Sequence, residues 1–578
     1  MESHTNIESI ALIGGGPAAL FMMLRLVQSG RDDVAITIFE KSGQLGAGMP
    51  YSEAGSGLEH ITNVSGNEIP GIVTTMKDWV KTAPNDLLDK FDMEAAGFND
   101  FKVVPRLLFG AYLEAQFNLL LAAAGKKNIP VKVRLNTTVR DVKEDVQNER
   151  LQVYTGQEQP ETFDRIIMCM GHTWPKKLEG HQPGWYDCPY PTSKLEFTVN
   201  GPVAIKGASL TAIDAMRTLA RQHGHFIKNE DGTLAYHLDN AFPDFRMVMH
   251  SLYGLLPALR FHLEDTHLTP AFFLEEKDAY RIKDENAGFI PLDLLYQKNF
   301  IEPLQQQHPE LYAEVKNMAL EEFVDYMMNF RERLDAFDLL KGEYREAERS
   351  IRRQESVSWK ENLAALSYAM NYPAKHFSAE DMLRLKKVLM PLISIVIAFV
   401  PQSSCREMMA LHEAGVLRLQ AVDNNSKVEP ADDRGAVYHY KNKAGDMQSE
   451  SFDVFIDAIG QPPMMFNDFP FKSLLLQRAI SAARLRFKDS SCAEEEMNAG
   501  NPLVTSDGLG NYYLDVPGIS INDHFQVLDR FGVANERIYI MAVPFIGGLN
   551  PDYSGLDFCE TASKRIVENL FKKEIAEV

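Results

Sequence analysis

The chain has 578 residues, 45% of them apolar and 24% charged, with a formal net charge of −21 at pH 7. That length suffices for two or three domains with substantial cores, and the apolar and charged shares are ordinary for a globular protein. The acidic balance argues against non-specific binding to nucleic acid or to an anionic membrane.

In chain order, the apolar run Ser9–Ile13 reads as a central parallel strand and enters Gly14-Gly15-Gly16-Pro17-Ala18-Ala19. In such a turn Gly14 permits the tight bend, Gly16 lets a phosphate approach the backbone, and Ala19 allows close packing of helix on strand. Backbone N–H groups at the helix start then face the phosphate. The helix stops near Ser29-Gly30, and a second strand, Val34–Phe39, ends at Glu40. A carboxylate about twenty residues past the motif is placed to receive a pair of ribose hydroxyls, with Lys41 beside it. The unit closes with Phe163-Asp164 and an apolar strand ending at Gly171.

The same plan then repeats. Val203-Ala-Ile-Lys-Gly207-Ala-Ser209-Leu-Thr211 opens a second unit, and Phe452-Asp453 leads to its close at Gly460. A repeat this long is a domain duplication rather than a solenoid, and two nucleotide units in one chain suggest hydride traffic between two bound nucleotides. Ser209 stands where the first copy has Gly16, so its Cβ costs room beside a phosphate, although its hydroxyl could donate to one. The next strand, 245–250, runs into Ser251-Leu252-Tyr253-Gly254. Residues from about 262 to 400 read as a helical insertion, with helix-forming, amphipathic stretches over 310–338 and 343–371. Its mixed-charge run at 342–355 is expected to be a solvated helix face. The run 388–401, broken by Pro391 and Ser394, is too short to span a bilayer and reads as a buried helix or strand. Toward the end, an apolar strand over 537–545 enters Gly547-Gly548, and Asp552 precedes a helix carrying Glu560.

Other chemistries find no support. Cys169, Cys188, Cys405, Cys492 and Cys559 form no C-x-x-C pair or zinc-like cluster, and are expected to be reduced thiols in a cytoplasmic protein. The opening Met-Glu-Ser-His-Thr-Asn lacks the layout of a secretory signal. His223-Gly-His225 and His262 with His267 lack metal-ligand spacing and read as surface or capping histidines, so no metal is expected. No G-x-S-x-G elbow is present.

Between Glu40 and the closing strand the chain reads Gly46-Ala-Gly48-Met-Pro-Tyr51, His60-Ile-Thr-Asn63-Val64 and Pro105-Arg106-Leu-Leu-Phe-Gly110-Ala-Tyr112-Leu113. These runs resemble a bacterial FAD/NAD(P)-binding oxidoreductase family, itself distantly similar to the amine N-hydroxylating and Baeyer–Villiger flavin monooxygenases. The resemblance implies FAD in the first site, with Gly48 and Asn63 beside the flavin. It also implies Val139 along the adenine and the Met170-Gly171 turn closing over the cofactor. Gly548, Asp552 and the helix of Glu560–Ala562 would return to the flavin. Arg106 is left open between a flavin contact and helix packing. NADH or NADPH would occupy the second site on Gly207, Ser209 and Thr211. Relatives often carry a basic residue after the serine at 251; Leu252-Tyr253 here turns the expectation from NADPH toward NADH or a degenerate site.

The resulting expectation is an α/β chain with two Rossmann-type dinucleotide-binding domains and a helical insertion. A discontinuous FAD domain covers 1–197 and 461–578, and the second domain, with the insert at 262–400, covers 198–460. The expected activity is that of an FAD-dependent oxidoreductase, most simply an NAD(P)H-dependent monooxygenase hydroxylating a small amine or amino acid. Asn63 and His60 are the candidates for groups hydrogen-bonding to the flavin ring or to oxygen near it. A small-molecule substrate is the expected partner, with no nucleic acid and no membrane; self-association is left open. Two alternatives stand beside it: a flavin dehydrogenase or oxidase with a vestigial nicotinamide site, and a non-catalytic FAD-stabilised scaffold.

Overall fold

The computed structural model describes residues 7–572 apart from 158, 264–273, 275, 443 and 552–554. Six strands form the first sheet, in the order Gln526–Leu528, Ala534–Ile540, Arg165–Met168, Glu8–Ile13, Val34–Phe39 and Val131–Arg134. All pairs are parallel except the first. Ile10, Ala11 and Leu12 are fully buried, as a strand covered on both faces requires. One face carries helix Pro17–Gln28, packed against helices Arg106–Lys126 and Gly555–Leu570. A three-stranded antiparallel sheet over 141–163 lies on the other, with Phe163 edge-on to Phe39. A strand from the end of the chain thus completes a sheet begun at its start.

Helix Arg106–Lys126 is long and apolar enough, by length and composition, to cross a membrane. Here Leu108, Phe109, Leu113 and Phe117 are buried in the core of the first sheet's unit.

The second sheet runs Trp185–Tyr186, Val454–Asp457, Pro202–Lys206, Arg246–Leu252 and Leu417–Val422, all parallel. Helices Leu210–His223 and Gln402–Glu413 pack on it, and an antiparallel sheet over 427–452 covers the opposite face. His250 stacks on Tyr438 of that sheet, with centroids 3.8 Å apart, as Phe39 meets Phe163 in the first copy. His223 is no surface residue, but it caps its own helix, its Nδ1 donating to Leu219 O at 2.7 Å. It is fully buried and stacked on Phe245, and its Nε2 accepts from Val199 N–H at 2.9 Å.

Between Glu276 and Val396 the chain is helical. Leu363, Leu366, Met382, Leu389 and Leu392 join the core of the first sheet's unit, while Phe337, Leu340 and Ala347 join that of the second. The insertion therefore bridges both. Helix Ala336–Arg353 departs from the expected solvated face at Glu343, which is buried and paired with Arg331 at 2.8 Å and Lys360 at 3.4 Å. An amphipathic helix wedged between two others must bury one stripe, and a carboxylate in that stripe needs cations. The run 388–401 forms helix Met390–Val396, then a single bridge between Val400 and Leu259.

Candidate active site

The first glycine turn is built for close backbone approach. Gly14 adopts φ +108°, and a Cβ there would lie 2.5 Å from Cys169 O of the closing strand. A Cβ on Gly16 would meet Gly48 Cα at 3.3 Å, so Gly48 (φ +60°) sits directly over the turn. Pro17 occupies the first helical position, Ala18 is half-buried and Ala19 fully buried, and the helix has no side-chain cap. A helix start without a side-chain cap leaves its first N–H groups for an anion to satisfy. Glu40 ends the neighbouring strand with its carboxylate accepting from Gly15 N–H and Ser42 N–H, each at 2.7 Å. The loop carrying Val139 lies against this acid, since Thr137 N–H donates to Glu40 O at 2.8 Å. Glycine cradle, open helix start and strand-end acid together fit the pyrophosphate and ribose of FAD. Lys41 is exposed beside them, and Gly171 follows the closing strand with open space above it.

The second turn repeats this geometry. Gly207 has φ +110°, and a Cβ would lie 2.8 Å from Ala458 O. Gly207 N–H donates to His250 O at 2.8 Å, as Gly14 N–H donates to Phe39 O at 2.8 Å. Ser209 is the N-cap of helix Leu210–His223, is exposed, and does not cap the helix with its side chain. An exposed position leaves the serine Cβ room there.

Between the units lies a cleft of about 220 Å³. Met49, Tyr51, Thr62, Asn63 and Arg106 come from the first unit, and Tyr190, Thr211 and Asp214 from the second. His172, Trp174 and Gln461 come from the two stretches where the chain crosses between units. Those crossings are tied together: Thr173 N–H donates to Gln461 Oε1 (2.8 Å), Gln461 Nε2 donates to Thr173 O (2.7 Å), and Trp174 Nε1 donates to Gly460 O (3.0 Å).

On the opposite side the units are joined by charge. Arg106 holds Asp214 in a bidentate pair, Nη1–Oδ2 2.6 Å and Nη2–Oδ1 3.1 Å, and Tyr190 donates to Oδ2 at 2.7 Å. The two side chains are only 14% and 6% exposed. Burial is the largest single influence on Asp214 and opposes its charge, but the Arg106 guanidinium, His60 and the hydrogen bonds from Tyr190 and Arg106 together outweigh it and hold the carboxyl below the usual carboxylate range. Burial pushes the His172 imidazole down, which keeps it neutral at the cleft wall.

Of the expected site residues, the cleft gathers Asn63, Arg106 and Thr211. Arg106, left open between a flavin contact and helix packing, lines the cleft and pairs across the units with Asp214 of helix Leu210–His223. His60 is not among the lining residues. It is fully buried, Gly57 N–H donates to its Nδ1 (2.8 Å), and its Nε2 is left to donate to Asp214 O (3.2 Å). Its ring therefore braces helix Leu210–His223 instead of facing a ligand. Gly548 is required by packing, since a Cβ would lie 2.0 Å from Pro517 O. Glu560 pairs with Arg25 at 2.6 Å between two helices. Asp552 and His267 lie outside the described residues. Arg260, unplaced by sequence, donates to Asn63 O (2.6 Å) and Ser65 Oγ (2.7 Å) and pairs with Glu68, so the second unit positions the strand that carries Asn63. Among the described residues no cluster of His, Cys, Asp or Glu could hold a metal, and the five cysteines are unpaired.

Residues 11–173 match the family described as FAD-NAD(P)-binding, in keeping with the glycine cradle and strand-end acid of the first turn. Residues 275–397 match the YdhS-like middle domain. The chain is similar to the uncharacterized protein YdhS of Escherichia coli (strain K12), 28% identical over 472 residues, spanning 81% of this chain and 86% of that protein. Among solved structures it is similar to the reduced form of ornithine hydroxylase from Pseudomonas aeruginosa, at 10% identity and TM-score 0.48, over 98% of this chain and 99% of that one. It is also similar to L-lysine 6-monooxygenase from Pseudomonas syringae, at 12% identity and TM-score 0.43, over 97% and 99%.

Proposed function

We propose that this FAD-dependent oxidoreductase is a monooxygenase that takes its electrons from NAD(P)H and hydroxylates a small molecule, an amine or amino acid, in the cleft between the units. One observation carries the reading: two glycine turns of matching geometry flank a single cleft walled by side chains from both units. The sequence resemblance to amine-hydroxylating flavin monooxygenases supports the reaction class. Overall, R–H, O₂, NAD(P)H and H⁺ give R–OH, H₂O and NAD(P)⁺.

Bound FAD supplies chemistry that no side chain here offers, accepting a hydride and activating dioxygen. Gly14, Gly16 and Gly48 shape its cradle, and Glu40 is placed for its ribose. Asn63, fixed through its carbonyl by Arg260, presents an amide to the cleft. Trp174 and Tyr190 offer aromatic faces, with ring centroids 5.2 Å apart, that suit a compact cationic or polar substrate and exclude water. Neutral His172 can exchange a proton with a substrate without placing a fixed charge in the cleft.

Purified holoprotein incubated in air with NAD(P)H and a panel of small amines and amino acids tests this. At least one substrate should accelerate NAD(P)H oxidation and yield a product heavier by one oxygen, labelled from ¹⁸O₂. Oxidation that no substrate accelerates, with all oxygen returned as hydrogen peroxide, would refute it.

A further inference from the structure

The two turns superpose residue by residue through hydrogen bonding, and that register identifies what the second site lacks. Gly14 N–H donates to Phe39 O and Gly207 N–H to His250 O; Cys169 N–H donates to Ile13 O and Ala458 N–H to Lys206 O. Phe39 and His250 both turn their rings toward their antiparallel sheets. Glu40, the acid placed for the first ribose, therefore corresponds to Ser251. In the first copy the strand ends at Phe39 and the Glu40 carboxylate folds back onto the glycine turn. In the second the ladder runs two residues further, with Ser251 opposite Ala421 and Leu252 opposite Val422. Ser251 Oγ donates instead to Leu255 O at 2.6 Å.

Among the described residues no cation substitutes for the missing acid at this strand end. Leu252 and Tyr253 are 46% and 49% exposed and uncharged. Arg246 begins the strand, about 20 Å from Leu252 at the usual rise per residue. Arg260 is committed to Asn63 and Glu68, and Lys206 to Asp457 at 3.7 Å.

We infer that the second site holds a nicotinamide dinucleotide by its pyrophosphate while reading neither the 2′-hydroxyl nor the 2′-phosphate of its adenosine ribose, so that NADH and NADPH serve alike. A ribose diol is selected by a strand-end carboxylate and a 2′-phosphate by an adjacent cation, and the described residues of this site present neither. The inference rests on the functional reading only in requiring that the second turn bind a nicotinamide dinucleotide.

The test uses holoprotein titrated calorimetrically with NAD⁺ and NADP⁺, alongside anaerobic reduction by NADH and NADPH. The two dissociation constants should agree within threefold, as should the two reduction efficiencies. Leu252→Arg, at an exposed position, should favour NADP⁺ over NAD⁺ at least tenfold. Ser251→Glu should favour NAD⁺ by a similar factor. A tenfold preference of the unmodified protein for either nucleotide overturns the inference. So does a folded Leu252→Arg whose ratio stays near one, because residue 252 then does not face the ribose. If neither nucleotide binds, the inference falls together with the NAD(P)H half of the functional reading. Equal binding without substrate hydroxylation overturns only the monooxygenase assignment.

Discussion

The buried pair between Arg106 and Asp214 offers the sharpest energetic test of how the two nucleotide units are held together. Arg106→Met removes both hydrogen bonds to Asp214 and the Nε donation to Ile61 O at 3.0 Å. Asp214 would then be a buried carboxylate with the Tyr190 hydroxyl as its remaining side-chain donor. Breaking one side of such a pair costs about 3 to 5 kcal/mol, and the retained Tyr190 bond points to the lower end. For a folding unit of the size here, about 3 kcal/mol corresponds to a fall of about 6–12 °C in Tm. Asp214→Leu should cost a similar amount, because it strands the guanidinium. The double variant Arg106→Met/Asp214→Leu leaves no buried charge and should cost about 3 kcal/mol, far less than the sum, for a coupling of about 3 kcal/mol. Calorimetry on the four flavin-loaded proteins reads this directly. Single variants melting within 2 °C of the parent (under about 1 kcal/mol by the same conversion), or a double variant equal to the sum, would refute the pair as a joint between the units.

Further outcomes follow from the same geometry. Gly14→Ala places a Cβ 2.5 Å from Cys169 O at positive φ, and should purify without the visible flavin spectrum. Gly207→Ala, with its Cβ 2.8 Å from Ala458 O, should keep the flavin and lose at least tenfold in nicotinamide affinity by calorimetry. A Gly14→Ala protein that keeps full flavin would contradict the assignment of FAD to the first turn. His250 is buried, neither ring nitrogen has a partner in hydrogen-bonding geometry among the described residues, and burial pushes its imidazole down to about 3 despite weak support from the Ile205 and Val248 backbone. A depressed folded value means the unfolded chain binds the extra proton, so stability contributed above pH 6.5 is lost as pH falls from 6.5 toward 3. His250→Phe, restoring what the first copy has at Phe39, should raise stability by about 1 kcal/mol at neutral pH and flatten that acid-side loss. Urea unfolding at pH 7 and pH 5 checks both; a variant as acid-sensitive as the parent would exclude His250 as the cause.

What sequence revealed and what it hid divide along chain separation. Both glycine turns were legible because strand, turn and helix are contiguous, and each residue type answers a local backbone demand. The Gly16 to Ser209 exchange looks costly by sequence; the exposure of Ser209 in the fold removes that cost. Arg106 and Asp214 stand 108 positions apart, and Arg260 reaches Asn63 over 197, so no local pattern could pair them. His60 shares a short motif with Asn63, yet strand alternation and the following bulge send one to the cleft and the other into a helix contact. Trp174, Tyr190, His172 and Gln461 were missed as a group. Their signal was positional: they lie at or near the chain crossings between the two repeats, where ligands of α/β sheets tend to bind. Glu343 was misread because alternating charge resembles a solvated face until three helices are packed together.

In the proposed cycle the flavin and the nicotinamide meet in one cleft. Anaerobic mixing of the flavin-loaded protein with NADH, and separately with NADPH, followed by the visible spectrum in a stopped-flow instrument, tests it most directly. Both should bleach the flavin rapidly, at rates that saturate with nicotinamide concentration. A bound flavin that neither nucleotide bleaches, with or without substrate amines present, would contradict it.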